Sequence, residues 1–142
     1  MTLVLDASMT LAWLLRRRDP AEAALAIVAL DVVRATGAVV PPLWYPEVGN
    51  ALLLAERQKV ITAQDSVSFL FSLAPWEIHE DRFAPASIQT KAIDLGRIHN
   101  LTAYDATYLE LAIRRGAELA TFDRKLAEAA RTAGVRVFGD PA

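Results

Sequence analysis

The sequence predicts an α/β fold, with helices covering both faces of a short, mostly parallel sheet. Three observations carry that prediction. Short apolar runs alternate with longer stretches of helical spacing along the whole chain. The runs are apolar on both faces, as strands buried between helix layers are. Pro, Gly and capping residues stand where the helices should start and stop.

The elements follow in order. Thr2–Leu5 is an apolar run that ends on Asp6 and reads as the first strand. Ser8–Arg17 carries Met9, Ala12 and Trp13 at helical spacing. A helix from Pro20 to Thr36 has Pro at its first position and Gly37 at its end, the usual placement of both residues. Ala38–Val40 is the second strand, stopped by Pro41-Pro42. Trp44–Lys59 is helical, with Val48, Ala51, Leu52 and Ala55 on one stripe. Thr62 and Asp65 form a capping-box pattern that opens a helix through Leu73. Trp76–His79 is a candidate strand, and Pro85–His99 a helix with Ile88, Ala92 and Leu95 in register. Thr102 caps a helix over Ala103–Arg115, ended by Gly116. Glu118–Thr121 is a strand, Asp123–Ala133 a helix closed by Gly134, and Val135–Phe138 the last strand.

Composition narrows the function. With 142 residues, the expectation is a single domain, 1–142, large enough for a real core. Apolar residues make up 54% and charged residues 23%, which excludes disorder. There is no cysteine and there are only two histidines. Disulfides, thiolate zinc, iron–sulfur clusters and cysteine nucleophiles are therefore excluded. Met1–Leu5 lacks a basic start, and the longest strictly apolar run, Ala23–Leu30, is too short to span a bilayer. A cytoplasmic protein is expected. The net charge of −2 does not by itself suggest a nucleic-acid binder.

Four acids stand out by position. Asp6 ends the first strand, and Glu47 lies in the first turn of the helix after the second. Asp105 lies in the first turn of the helix opened by Thr102, and Asp123 follows the strand at Glu118–Thr121. In an open α/β sheet, ligands bind beyond the carboxyl ends of the strands, where these acids should gather. Each has a plainer reading: a helix cap, or an acid set against a positive helix end. Gathered together, however, such acids repel one another, and a hard divalent cation relieves that conflict. A cation of this kind also lowers the pKa of a bound water and stabilises charge at a phosphoryl centre. No phosphate-binding glycine loop is present, so the pattern suits phosphodiester hydrolysis better than nucleotide chemistry.

The blocks LDAS (Leu5–Ser8), PEVGNAL (Pro46–Leu52), YDATYLELA (Tyr104–Ala112) and TFD (Thr121–Asp123) resemble, in order and spacing, those of PIN-domain proteins. The likeness is in particular to the VapC toxins of toxin–antitoxin pairs, and it covers essentially the whole chain. It implies a PIN-like three-layer α/β/α domain and an endoribonuclease using one or two Mg²⁺ or Mn²⁺ ions. Asp6, Glu47, Asp105 and Asp123 match the family's metal-binding acids. Ser8 and Thr121 match supporting hydroxyl positions. The resemblance further implies products with 5′-phosphate and 3′-hydroxyl ends, a homodimer, and inhibition by a small VapB-type antitoxin. The chain departs from many relatives at Arg16-Arg17-Arg18, where they carry acids, and at Leu126, where an aromatic residue is common.

Arg16, Arg17, Arg18, Arg124 and Lys125 are candidate RNA contacts, set against ordinary surface charge. His79 and His99 read as structural, and Trp13, Trp44 and Trp76 as core or interface. Trp44–Lys59 and Thr62–Leu73 are rich in apolar surface, which reads either as full burial in one large core or as a groove for an amphipathic partner helix, and the resemblance favours the groove. The alternative function is a PIN-like module that has lost catalysis and only binds protein or RNA. A phosphatase of the haloacid-dehalogenase type would want a second Asp where Ser8 stands.

Overall fold

The computed structural model describes residues 2–82 and 85–141. Four parallel strands form one sheet: β1 (Leu3–Leu5), β2 (Ala38–Val40), β3 (Ile78–Glu80) and β4 (Glu118–Ala120), in the order β3-β2-β1-β4. Seven helices surround it: α1 (Ala7–Leu11), α2 (Pro20–Thr36), α3 (Trp44–Arg57), α4 (Ala63–Leu73), α5 (Pro85–His99), α6 (Ala103–Arg115) and α7 (Arg124–Thr132). The α/β expectation holds, and α2, α5 and α6 have the predicted bounds.

The strands are only three residues long, yet β1, β2 and most of β4 are buried. Leu3, Val4 and Leu5 pair with Glu118, Leu119 and Ala120, while Val4 also faces Val39. α6 lies across β1 and β4 and against α5 and α7, burying Ala106 and the run Tyr108–Ala112. One core unites Val4, Met9, Val33, Val48, Leu109, Leu119 and Leu126. At about 25 cal/mol per Å² of apolar surface, such burial is the main force holding the layers together.

Strand order sets where a ligand can sit. The chain runs outward from β1 through β2 to β3, then returns to the other side of β1 for β4. Connections therefore leave β1 and β4 in opposing directions, and the crevice this opens lies beyond their carboxyl ends.

Beyond shifts of a residue or two at element ends, three elements depart from the sequence expectation. The helix predicted over Ser8–Arg17 stops at Leu11 and continues as turns, with Leu14 and Leu15 N–H groups bonded to the Leu11 carbonyl. Ala12 and Trp13 still face the core there, so apolar spacing does not reveal the stop. Trp13 Nε1 donates to the Ala26 carbonyl at 2.9 Å, which turns the chain toward α2. The third strand begins at Ile78 rather than Trp76, because Trp76 sits in a turn and packs edge-on against Trp13. The final strand, predicted over Val135–Phe138, is a single bridge between Leu119 and Val137. Val135 and Val137 are buried and Arg136 is exposed, so the alternation is strand-like. Gly139, at φ +96°, ends the pairing there.

The predicted capping box is present: Thr62 Oγ1 accepts from Asp65 N, and Asp65 Oδ2 accepts from Thr62 N. Trp44 is buried, and Trp13 and Trp76 pack against the core. A buried ionic network ties the end of β3 to α6. Asp81 accepts from Arg114 and Arg115, and Arg114 also bonds Glu110. These partners hold the Asp81 carboxyl below its usual range against the opposing effect of burial.

Candidate active site

Asp6 follows the last residue of β1 and is buried. Its Oδ1 accepts from Ala7 N at 2.9 Å, capping α1. Its Oδ2 accepts from Ser8 Oγ at 2.7 Å and from Thr121 Oγ1 at 2.6 Å. A carboxylate has about four lone-pair sites, so a further one stays available. Ser8 and Thr121 also fix the far side of the crevice. Ser8 Oγ accepts from Phe122 N, and Thr121 Oγ1 accepts from Asp123 N. The two strand ends are thereby laced together by side chains from the sequence blocks around Asp6 and Asp123.

Asp123 caps α7, its Oδ1 accepting from Leu126 N at 2.9 Å. The Oδ2 is not used by that cap. Asp105 lies in the first turn of α6, whose N-terminus is capped by Thr102 Oγ1. Glu47 lies in the first turn of α3. That turn contains Pro46, placed where a helix N–H has no partner and proline is tolerated. It is anchored by buried Trp44, whose Nε1 donates to Thr10 Oγ1, which in turn donates to the Asp6 carbonyl.

The electrostatics show these acids acting on one another. Burial raises the Asp6 carboxyl above its usual range, against the lowering effect of Thr121, Ser8 and Ala7, and the charge of Asp123 adds to the rise. Glu47 is raised by burial and by the charges of Asp6 and Asp105. Asp105 is raised by burial and by Asp123 and Asp6, with Lys125 acting in the opposite sense. Carboxyls raised by burial and by one another's charge make this a candidate functional site.

The donor set is all carboxylate, as hard cations prefer. Among the described residues, no trio of His, Asp and Glu is disposed to hold an ion as it stands. The acids act on one another through their charges without a trio closing on a common point, so the residues fit a hard cation in kind, and a bound ion would have to draw them in.

One residue here was not anticipated. Tyr108 is fully buried on α6, and its hydroxyl donates to Glu47 Oε1 at 2.5 Å. Burial, the bond to Glu47 and the charge of Asp6 push its phenol far above the usual range, against a smaller opposing effect of the Ala7 backbone. The signal was its spacing: Tyr108 lies three residues beyond Asp105, on the same helix face.

The candidate RNA contacts divide. The Arg17 guanidinium lies 4.6 Å from the centre of the Phe122 ring and pairs with Glu22, so it is held at the rim of the site. Arg16, Arg18, Arg124 and Lys125 are exposed. His79 pairs with Glu77 at the surface, away from the acids.

A model of the PIN domain family matches residues 3–132. The chain belongs to the PIN domain family. Members of this family are typically nucleases. Solved structures share the fold of this PIN domain. PAE2754 from Pyrobaculum aerophilum superposes with a TM-score of 0.66 at 24% identity, over 91% of this chain and 79% of that one. VapC20 of Mycobacterium tuberculosis, described as a toxin cleaving the sarcin–ricin loop, gives 0.65 at 16% identity, over 99% and 100%. FitAcB from Neisseria gonorrhoeae gives 0.63 at 17% identity, over 97% of each chain. No curated protein sequence matches the chain.

Proposed function

We propose that this PIN domain, residues 1–142 acting as one unit, is an Mg²⁺- or Mn²⁺-dependent endoribonuclease and the toxin of a type II toxin–antitoxin pair. The observation that carries the reading is the charge conflict among Asp6, Glu47, Asp105 and Asp123 in the crevice beyond β1 and β4. These four would hold one or two ions. A bound ion of this class makes a coordinated water a competent nucleophile and neutralises charge on the phosphodiester.

The chain's own residues do the rest. Ser8 and Thr121 orient the Asp6 carboxylate through hydrogen bonds. Arg16, Arg17, Arg18, Arg124 and Lys125 would draw the RNA backbone to an otherwise acidic crevice, where local charge matters more than the net −2. Water attacks phosphorus, the P–O3′ bond breaks and the 3′-oxygen leaves as a hydroxyl, so the products carry 5′-phosphate and 3′-hydroxyl ends and the ribose 2′-hydroxyl takes no part. Such a toxin works in the cytoplasm as a homodimer, restrained by a small VapB-type antitoxin. The exposed Leu53, Leu54, Val60, Val67, Leu70 and Phe71 on or beside α3 and α4 support such a partner.

The test is Asp6→Asn and Asp105→Asn, each assayed on RNA with Mg²⁺ or Mn²⁺. Both should abolish cleavage and keep the wild-type circular dichroism. Retained cleavage in both overturns the reading. Sedimentation of the purified chain tests the homodimer.

A further inference from the structure

We propose that Tyr108 is a positioning residue that holds Glu47 toward the other carboxylates through its hydroxyl. The inference rests on the metal-site reading above and names a residue that reading does not need.

The side chain is fully buried, so its hydroxyl requires a partner, and Glu47 Oε1 is that partner at 2.5 Å. The bond joins two elements that each bring an acid: α3 brings Glu47, and α6 brings both Asp105 and Tyr108. α3 and α6 are not neighbours in sequence, and Glu47 and Tyr108 are 61 residues apart. A Glu side chain has three rotatable torsions and costs substantial entropy to order. One hydroxyl occupying Oε1 fixes the carboxylate plane and leaves Oε2 for another ligand. Partners of this kind behind a liganding carboxylate change metal affinity by about 10–100-fold when removed.

Ser8 and Thr121 are already committed to Asp6, so neither hydroxyl stands in for Tyr108 Oη at Glu47. Replacing the hydroxyl by hydrogen leaves the Glu47 carboxylate with no substitute donor from Ser8 or Thr121.

The test is Tyr108→Phe, which keeps the ring and removes only the hydroxyl. Mn²⁺ affinity is read by calorimetric titration on folded protein, beside wild type, Asp105→Asn, Glu47→Gln and the Tyr108→Phe/Glu47→Gln pair. The expected result is an affinity loss of about tenfold for Tyr108→Phe. In the Glu47→Gln background, Tyr108→Phe should add less than about twofold, because the group it positions has lost its charge. A merely structural tyrosine would lower the thermal midpoint and leave the affinity of the folded fraction unchanged, which overturns the proposal. In wild type, the ring resonances of Tyr108 should broaden at substoichiometric Mn²⁺. Unbroadened resonances overturn it too, even if the Phe variant fails to fold. The two readings fail separately. Wild type that binds no Mn²⁺ in an Asp105-dependent way removes the metal site and this inference with it. Wild type that binds while Tyr108→Phe is unchanged removes this inference alone.

Discussion

Thr121 shows how much one side chain carries at this site. Its hydroxyl donates to Asp6 Oδ2 and accepts from Asp123 N, so it serves two strand-end acids at once. Thr121→Val keeps the shape and strands both partners. It should lower unfolding free energy by about 1.5–3 kcal/mol, the range for hydrogen bonds to charged groups, measured by urea denaturation. Thr121→Ser keeps the hydroxyl and should stay close to wild type. Asp6 itself illustrates two roles in one residue. It caps α1 and lies in the acid crevice, so the plain and the functional readings of its position coexist. Its place after an apolar strand was readable from the sequence. That both hydroxyls would converge on one oxygen was not, because Ser8 and Thr121 lie 113 residues apart.

At the scale of elements, the caps and breakers did most of the specification. Asp19, Thr62, Thr102 and Asp123 each accept a backbone N–H at a helix start, and each such cap is worth about 1 kcal/mol. Gly37 is the position with least tolerance. It adopts φ +79°, and an added Cβ would lie 2.4 Å from the Glu77 carbonyl oxygen. That oxygen also accepts from Ala38 N, so it cannot withdraw without disturbing the β2–β3 edge. Gly37→Ala should cost about 2–3 kcal/mol in urea unfolding and leave Mn²⁺ affinity unchanged, since the strain sits at the amino end of β2 and the acids follow the carboxyl ends of the strands. The elements the sequence misjudged were those whose apolar pattern runs past the regular structure. α1 ends without proline or glycine, and Val135–Phe138 keeps a strand's alternation with only one bridge.

For the molecule as a whole, the acid crevice gives stability a definite pH dependence. The carboxyls of Asp6, Glu47 and Asp105 are raised in the folded state, so that state binds more protons than the unfolded chain. Their contribution is full below the ordinary carboxylate range and is lost as pH rises through the raised values. Asp81 and Asp140 are lowered, so their contribution is present above the ordinary range and is lost as pH falls. The thermal midpoint of wild type relative to Asp6→Asn should therefore fall as pH rises above the ordinary carboxylate range. Mn²⁺ at a hundred times its dissociation constant should restore about 2.7 kcal/mol, or about 5–10 °C. A midpoint indifferent to Mn²⁺ at the higher pH would count against convergence of the acids on an ion. Among the described residues, no helix is long and apolar enough to cross a membrane. The apolar side chains left outside, with Phe71 the most exposed at 75%, lie instead on α2 to α6 and the loops between them.

The sequence alone determined the α/β class, seven helices and four of the five strands it predicted, because periodicity, caps and breakers are local and leave their mark within a few residues. Tertiary structure alone decided that β4 returns beside β1, that Asp6 shares Ser8 with Phe122 and Thr121 with Asp123, and that Tyr108 reaches Glu47. Those facts depend on contacts between segments tens of residues apart. Their energy is gained only when the layers pack, so no local pattern records it.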